Sequence, residues 1–302
     1  MNTSYRRRFI FEQLQIRGVF VHLEEVWQTI RQQKQYPDAI AHVLGQALVS
    51  SVLLSSNLKI AGKLITQTQS DTGCLQLLAA ESTSDLTCRA TARWQEPLPE
   101  ENTFASLVGD LARFVLTMQP EQGEAWQGIV AVNEQGIAPM LTDYMNHSEQ
   151  LPTFIALACD KQKATGLMLQ CLPSITTEQI QHNADEWQTV SMLAQTVTEK
   201  ELLTLQESQL LRRLFHEYDL MLFDREDFAF ACTCSEEKVG DMLKLIGAEE
   251  VAKVLIEQGS MEVCCDYCQK RYVFDEEDVQ AIFGMDVVEA ISRADEDRQT
   301  FH

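Results

Sequence analysis

Cys232-Thr233-Cys234 and Cys265-Asp266-Tyr267-Cys268, with thirty residues between them, carry more information than any other part of this chain. Together they supply four thiols, the number a closed tetrahedral zinc site takes. The first pair has an uncommon spacing. In an extended segment residues i and i+2 point to the same face, so both sulfurs of a C-x-C reach one metal. The same closeness lets each pair close a local disulfide once the metal is gone. The four residues therefore suit either a structural clamp or a redox switch.

Working outward, the cysteines sit in a small C-terminal module, expected over 229–285 and followed by an acidic tail at 286–302. Short strands at Leu220 to Phe223 and Phe228 to Phe230 lead into the C-x-C. Helices are expected at Ser235 to Ile246 and Ala248 to Gln258, broken by Gly247. Glu262 to Cys265 and Arg271 to Phe274 flank the C-x-x-C as a strand and its return, and Glu276 to Phe283 makes a last helix. A core this small needs a staple. Zinc supplies one, with apparent binding energies of roughly 10–16 kcal/mol in small finger peptides.

Upstream, residues 179–228 read as a helical linker. Trp187, Val190, Leu193, Ala194 and Val197 mark one helix, and Leu210, Leu211, Leu214 and Phe215 another, with polar, acidic sequence between them. Residues 1–178 form the larger domain. Gly18 to Leu23 alternates as a strand, Glu25 to Gln33 is helical, and Tyr36-Pro37-Asp38 breaks the chain before a longer helix through Ile40, Val43, Leu44, Ala47, Leu48 and Val52. Strand-like segments follow at 63–69, 75–80, 86–94, 114–118, 126–132, 154–159 and 166–172, with a helix near Pro139 to Glu149. Thr87, Arg89, Thr91 and Arg93 alternate with Cys88, Ala90 and Ala92, the pattern of a sheet with one wet face. The expected class is α+β: a mostly antiparallel sheet domain with packed helices, a helical linker and a small C-terminal zinc module.

Composition narrows the function. The chain has 302 residues, 45% hydrophobic and 23% charged, as soluble globular proteins do. A net charge of -21 and a pI near 4.6 argue against a nucleic-acid partner, which demands a basic face, and against an anionic membrane surface. Arg6, Arg7 and Arg8 precede a stretch too polar for a signal peptide, and the apolar run Ala39 to Leu58 is interrupted by His42, Gln46 and four serines. A cytoplasmic location is expected, where thiols stay reduced. Nine cysteines then fit metal binding or redox sensing better than a disulfide scaffold.

Competing chemistries lack their parts. A catalytic zinc keeps an open position and a base nearby, whereas four cysteines close the site. No H-x-E accompanies the C-x-x-C, and His216-Glu217 lacks the second histidine of H-E-x-x-H. The other histidines, His22, His42, His147, His182 and His302, are scattered, and the C-x-x-C does not follow the βαβ context of a thioredoxin-like enzyme. Cys74, Cys88, Cys159 and Cys171 lie in or beside apolar runs and read as core thiols. Cys264 adjoins Cys265 and, in an extended segment, faces away from the metal.

At these residues the chain resembles the redox-regulated heat-shock holdase family, the thirty-three-kilodalton chaperonins. The C-x-C, the spacing near thirty and the C-D-Y-C carry the likeness. So do Ile16-Arg17-Gly18, Asp143-Tyr144 with Ser148-Glu149-Gln150-Leu151-Pro152, Glu201-Leu202-Leu203, and Leu214-Phe215-His216-Glu217. The resemblance implies an ATP-independent chaperone rather than an enzyme. It implies one zinc held by Cys232, Cys234, Cys265 and Cys268 in an inactive reduced state. Oxidants would form Cys232–Cys234 and Cys265–Cys268 disulfides and expel the zinc, the linker would unfold and dimers would form. Unfolding client proteins would then be held until reduction passes them to ATP-driven chaperones. Cys265 and Cys268 are expected to respond first and the strained Cys232–Cys234 pair second. The alternative from another class is a zinc-stabilised interaction module with a constitutive metal; a thiol oxidoreductase is a third. Two departures stand out: Gln269 where glycine commonly follows a zinc knuckle, and Cys264 beside a ligand.

Overall fold

The computed structural model of the chain describes residues 3–56, 61–110, 112–173 and 177–284. Two units divide it, Met1–Ala231 and Cys232–His302. The first begins with strands β1 (Ser4–Phe11) and β2 (Ile16–Leu23), then helices α1 (Glu25–Gln33) and α2 (Asp38–Ser55). Strands β3 (Gly62–Gln69), β4 (Leu75–Thr83) and β5 (Thr87–Trp94) precede the short helix α3 (Phe104–Val108) and strands β6 (Arg113–Pro120) and β7 (Trp126–Ala131). Helix α4 (Ile137–His147), strands β8 (Thr153–Cys159) and β9 (Ala164–Cys171), and helices α5 (Thr177–Gln195), α6 (Glu199–Thr204) and α7 (Glu207–Leu214) follow. The unit closes with β10 (Leu220–Asp227) and β11 (Ala229–Phe230).

These strands form two sheets, ordered β10-β1-β2-β9-β8 and β11-β5-β4-β3-β6-β7. Neighbouring strands run antiparallel except β11, which lies parallel to β5. The α+β class with a mostly antiparallel sheet domain is what the structure shows.

Helix α2 packs against β3, β4 and β5 of one sheet and against β2, β8 and β9 of the other. It is apolar around its whole circumference, as a helix buried on every side must be. Although long and apolar enough to cross a membrane, it is 78% buried within the fold. Its serines do not disturb this placement. Ser50 and Ser51 donate to the carbonyls of Ala47 and Leu48 at 2.8 and 2.7 Å, so their hydroxyls are satisfied inside their own helix. Close approach to the five-stranded sheet depends on missing side chains: a Cβ at Gly45 would stand 2.2 Å from the Cys159 sulfur, and one at Gly166 2.6 Å from Val49.

Helices α5 to α7 cover the other face of that sheet. Val190, Ala194, Leu202, Leu210, Leu214 and Phe215 join Phe9, Phe11, Phe20 and Leu167 in a second core. The strands foreseen just before the C-x-C therefore complete the sheets of the first unit. Leu220–Asp227 pairs along β1, and Ala229–Phe230 pairs with Thr87 and Cys88.

The pairing of β1 with β10 brings charge together. Arg6 holds Glu226 in a two-pronged contact at 2.8 and 3.3 Å. Arg7 and Arg225 both pair with Glu207 at the start of α7, whose side chain is only 1% exposed. Both arginines pair with Oε1 and offset the charge of the buried carboxylate, while Oε2 has no hydrogen-bond partner among the described residues. Replacing Glu207 with Gln should lower stability by about 1–3 kcal/mol. A urea titration of the full chain checks this, and an unchanged midpoint would show the contact to be energetically idle.

Candidate metal centre

The second unit contains α8 (Glu236–Ile246), α9 (Ala248–Gln258), the hairpin β12 (Met261–Cys264) and β13 (Arg271–Phe274), and α10 (Glu276–Phe283). Glycine at position 247, with φ of 101°, separates the two longer helices. Asp275 opens α10 with a reciprocal capping box to Asp278. The core is small: Val239, Leu243, Val251, Ala252, Leu255, Tyr272, Phe274 and Val279. The acidic tail expected at 286–302 lies outside the described residues.

Each cysteine pair is fixed by its local backbone. Cys232 and Cys234 lie on the extended approach to α8, where Ser235 is the N-cap and accepts from the Lys238 amide. Lys238 reaches back with its ammonium to the Thr233 carbonyl at 2.7 Å, tying the middle of the C-x-C to the helix. Cys265 and Cys268 lie on the turn between β12 and β13. The Cys265 amide donates to Lys270 O and the Gln269 amide to Cys265 O, both at 2.9 Å. Gln269 has φ of 56°, the left-handed conformation that glycine adopts most easily. Its side-chain amide donates to the carbonyls of Cys265 and Asp266, contacts a glycine could not make.

The four sulfurs converge to within 4.8 Å of one another, with Cys232 and Cys265 at 3.6 Å and Cys234 and Cys268 at 3.4 Å. A tetrahedron of thiolates at ordinary zinc distances has sulfur separations of about 3.8 Å. The donor set and the spacing fit a four-thiolate metal ion, and all four residues are half-buried. Ionisation is uneven across the cluster. Burial pushes the Cys234 thiol up, but the neighbouring Tyr272 hydroxyl and the other three thiols outweigh it and bring Cys234 down to about 7. Burial raises Cys265, and it raises Cys268 to about 12.

Cys264 stands apart. It is exposed and pairs across the hairpin with Arg271, on the face opposite Cys265. Its thiol lies 3.7 Å from Glu262, which Arg271 also holds. The remaining thiols are structural. Cys88, Cys159 and Cys171 are buried, with burial raising each thiol, and half-buried Cys74 donates to Leu107 O at 3.5 Å. His22 stacks on Tyr5, His42 bonds Cys159 O, and His147 bonds Asp143 O; the side chain of His182 and all of His302 lie outside the described residues. The sequence marked Gln269 as a departure from glycine but did not single out Tyr272. A polar residue after the second pair and a phenol in a return strand were the available signals.

The fold and the cysteine cluster define an α+β protein carrying a separate four-thiol module that can hold a metal. The model of the Hsp33 protein family matches residues 4–275, and the chain belongs to that family. It is 50% identical over 285 residues to the 33 kDa chaperonin of Neisseria meningitidis, covering 94% of this chain and 92% of the relative. It is 42% identical over 290 residues to the 33 kDa chaperonin of Chromobacterium violaceum, covering 95% and 96% of the two chains. The crystal structure of the 33 kDa chaperonin from Thermotoga maritima has the same fold, with a TM-score of 0.79 at 20% identity over 94% of this chain and 99% of that one. Membership makes the protein a chaperone, a class whose partners are unfolded proteins.

Converting any one of the four clustered cysteines to Ser should weaken metal binding by more than about 100-fold, beyond the range for an outer-shell partner. Cys264→Ser should leave affinity and stoichiometry unchanged. A chelator-competition titration measures both, and equal losses at Cys264 and Cys265 would contradict the two-faced hairpin.

Proposed function

We propose that the chain is an ATP-independent holdase that is silent while reduced and metal-bound and active once its four clustered thiols are oxidised. The observation carrying this is the convergence of the four sulfurs beside a core of eight buried residues. Such a core is too small to hold two helices, a hairpin and a further helix by burial alone. The names of the curated relatives support the chaperone part.

The metal is zinc, one per chain, held by Cys232, Cys234, Cys265 and Cys268. When bound, zinc supplies the positive charge that keeps four thiolates together and couples them to folding. Oxidation acts on the sulfurs. Each pair of thiolates gives up two electrons as one S–S bond forms, and peroxide takes these, with two protons from solvent, to become water. Cys265–Cys268 closes first and the more constrained Cys232–Cys234 second. A disulfide sulfur carries no charge to hold a cation, so the module loses its staple and unfolds.

The division of labour is a chaperone core over 1–178, a linker over 179–228 and the switch over 229–285. Helices α6 and α7 and all but the first two residues of α5 lie in the linker, and their apolar residues cover Phe9, Phe11 and Phe20. Their release would bare apolar surface for unfolding clients. The active form is a dimer, and it surrenders its clients to ATP-driven chaperones when the cytoplasm is again reducing.

Light scattering of a thermally unfolding client, with zinc followed by a chromogenic chelator, tests the assignment. Reduced protein should retain one zinc and leave aggregation unchanged; peroxide with heat should free the zinc and suppress aggregation several-fold. Free zinc with no gain in suppression would refute the holdase. Zinc that survives strong oxidation would instead make the module a constitutive interaction domain.

A further inference from the structure

Strand register aligns Met221, Ile10, Arg17, Gln170 and Thr153 in one row across all five strands of the β10-β1-β2-β9-β8 sheet. Cross-strand partners share a face, so these side chains stand on one side of the sheet. Val19, two residues beyond Arg17, packs in the core around α2 and marks this as the face that α2 crosses. Arg8 is opposite Val19 and shares that face. At the end of α2, Arg8, Ile10, Arg17, Ser56 and Phe223 help to line a cleft of about 200 Å³. Met221 and Phe223 are 44% and 41% exposed.

The charges of this cleft are unevenly matched. Arg17 is half-buried and donates from both Nε and Nη2 to one neutral acceptor, the side-chain oxygen of Gln170, at 3.2 and 2.8 Å. No carboxylate pairs with it among the described residues. Burial disfavours its charge and pulls its pKa below the ordinary arginine range. Arg8 has to share Glu226 with Arg6, which makes the shorter contact, 2.8 Å against 3.3 Å. The Arg8 guanidinium also lies over the Phe223 ring, 6.0 Å from its centroid, so cation and apolar surface adjoin. A half-buried cation whose only partner is neutral calls for an anion. The cleft is smaller than the roughly 300–1,000 Å³ of a drug-sized ligand site and suits one side chain of a longer polymer. Beside it β10 is the outer strand, paired only with β1 among the described residues, which leaves an edge for an extended chain.

We propose that this cleft binds an extended segment of a partner polypeptide in which an apolar side chain neighbours a carboxylate. The apolar group enters beside Phe223, and the carboxylate meets Arg17 and Arg8. Charge complementarity decides the choice, because a basic or neutral segment would leave Arg17 without a counter-charge. The interaction goes beyond the oxidative switch, since every residue of the cleft belongs to the first unit and none is a cysteine. A cleft of this size grips a short stretch and does not hold a whole unfolding chain, so the reduced protein stays silent against aggregation.

Reduced, full-length protein is titrated into three fluorescein-labelled octapeptides, in which leucine alternates with glutamate, glutamine or lysine, and anisotropy reads the binding. The glutamate peptide should bind about ten-fold more tightly than the glutamine peptide, the gain of one charge-assisted contact. The lysine peptide should bind more weakly than either. Arg17→Gln should erase the preference for glutamate, whereas Phe223→Ser should weaken the glutamate and glutamine peptides alike. Arg93→Gln, at an exposed arginine of the other sheet, should change nothing. Urea midpoints show which variants fold; if Arg17→Gln does not, Arg8→Gln should still narrow the preference by about three-fold. Equal or tighter binding of the glutamine or lysine peptide overturns the proposal, as does no binding of any peptide. So does a folded Arg17→Gln or Arg8→Gln protein that keeps the full preference. Arg17-dependent binding to phosphatidylglycerol vesicles without peptide binding also overturns it, by making the partner a lipid surface. The thiols stay reduced throughout, so none of these failures touches the oxidative switch.

Discussion

Four sulfurs within 4.8 Å of one another are the constraint on which the second unit depends. Two thiolates at the 3.6 Å of Cys232 and Cys265 repel by about 4–5 kcal/mol at an effective dielectric of 20, less where solvent screens them. Four could not ionise together unaided. The cluster also ionises unevenly: burial pushes Cys265 up and Cys268 up to about 12, while the groups around Cys234 outweigh its burial and bring it down to about 7. A doubly charged cation reverses the balance and turns mutual repulsion into shared attraction. The arrangement that stabilises the module with a metal therefore opposes it without one.

The first unit shows the opposite economy. Its stability resides in a helix enclosed between two sheets, with serines satisfied by their own carbonyls and glycines where backbone and sulfur come close. Nothing there waits on an ion among the described residues. That core has its own reasons to stay folded, independent of the cysteine cluster. The helices over the second face are attached differently, through a mixed apolar and charged contact whose buried carboxylate at Glu207 depends on arginines from two strands.

Much of this was legible in the residues. The period of Ile40, Val43, Leu44 and Ala47 marked α2, the alternation around Cys88 marked β5, and the cysteine spacing marked the metal cluster. The first strand was not legible. Arg6, Arg7 and Arg8 look like a polar leader because their partners, Glu226, Glu207 and Phe223 O, lie about two hundred residues away. Burial of a charge can be read only when its counter-charge is known, and strand pairing supplied it. The same blindness read Leu220 to Phe223 only as a short strand leading into the C-x-C, since a short strand does not announce which sheet it will join.

The pleat of the hairpin has a consequence for fidelity. Cys264 and Cys265 are neighbours in sequence, yet β12 turns their side chains to opposite faces, one towards Glu262 and Arg271 and the other towards the sulfurs. A disulfide needs Cβ atoms about 3.8 Å apart with a right-angled S–S torsion, which a pleated strand denies to adjacent residues. While the hairpin stands, the spare thiol is a bystander; once the strand loosens, it becomes a rival for every sulfur it can meet. The backbone thus keeps the spare thiol away from the cluster for as long as the hairpin stands.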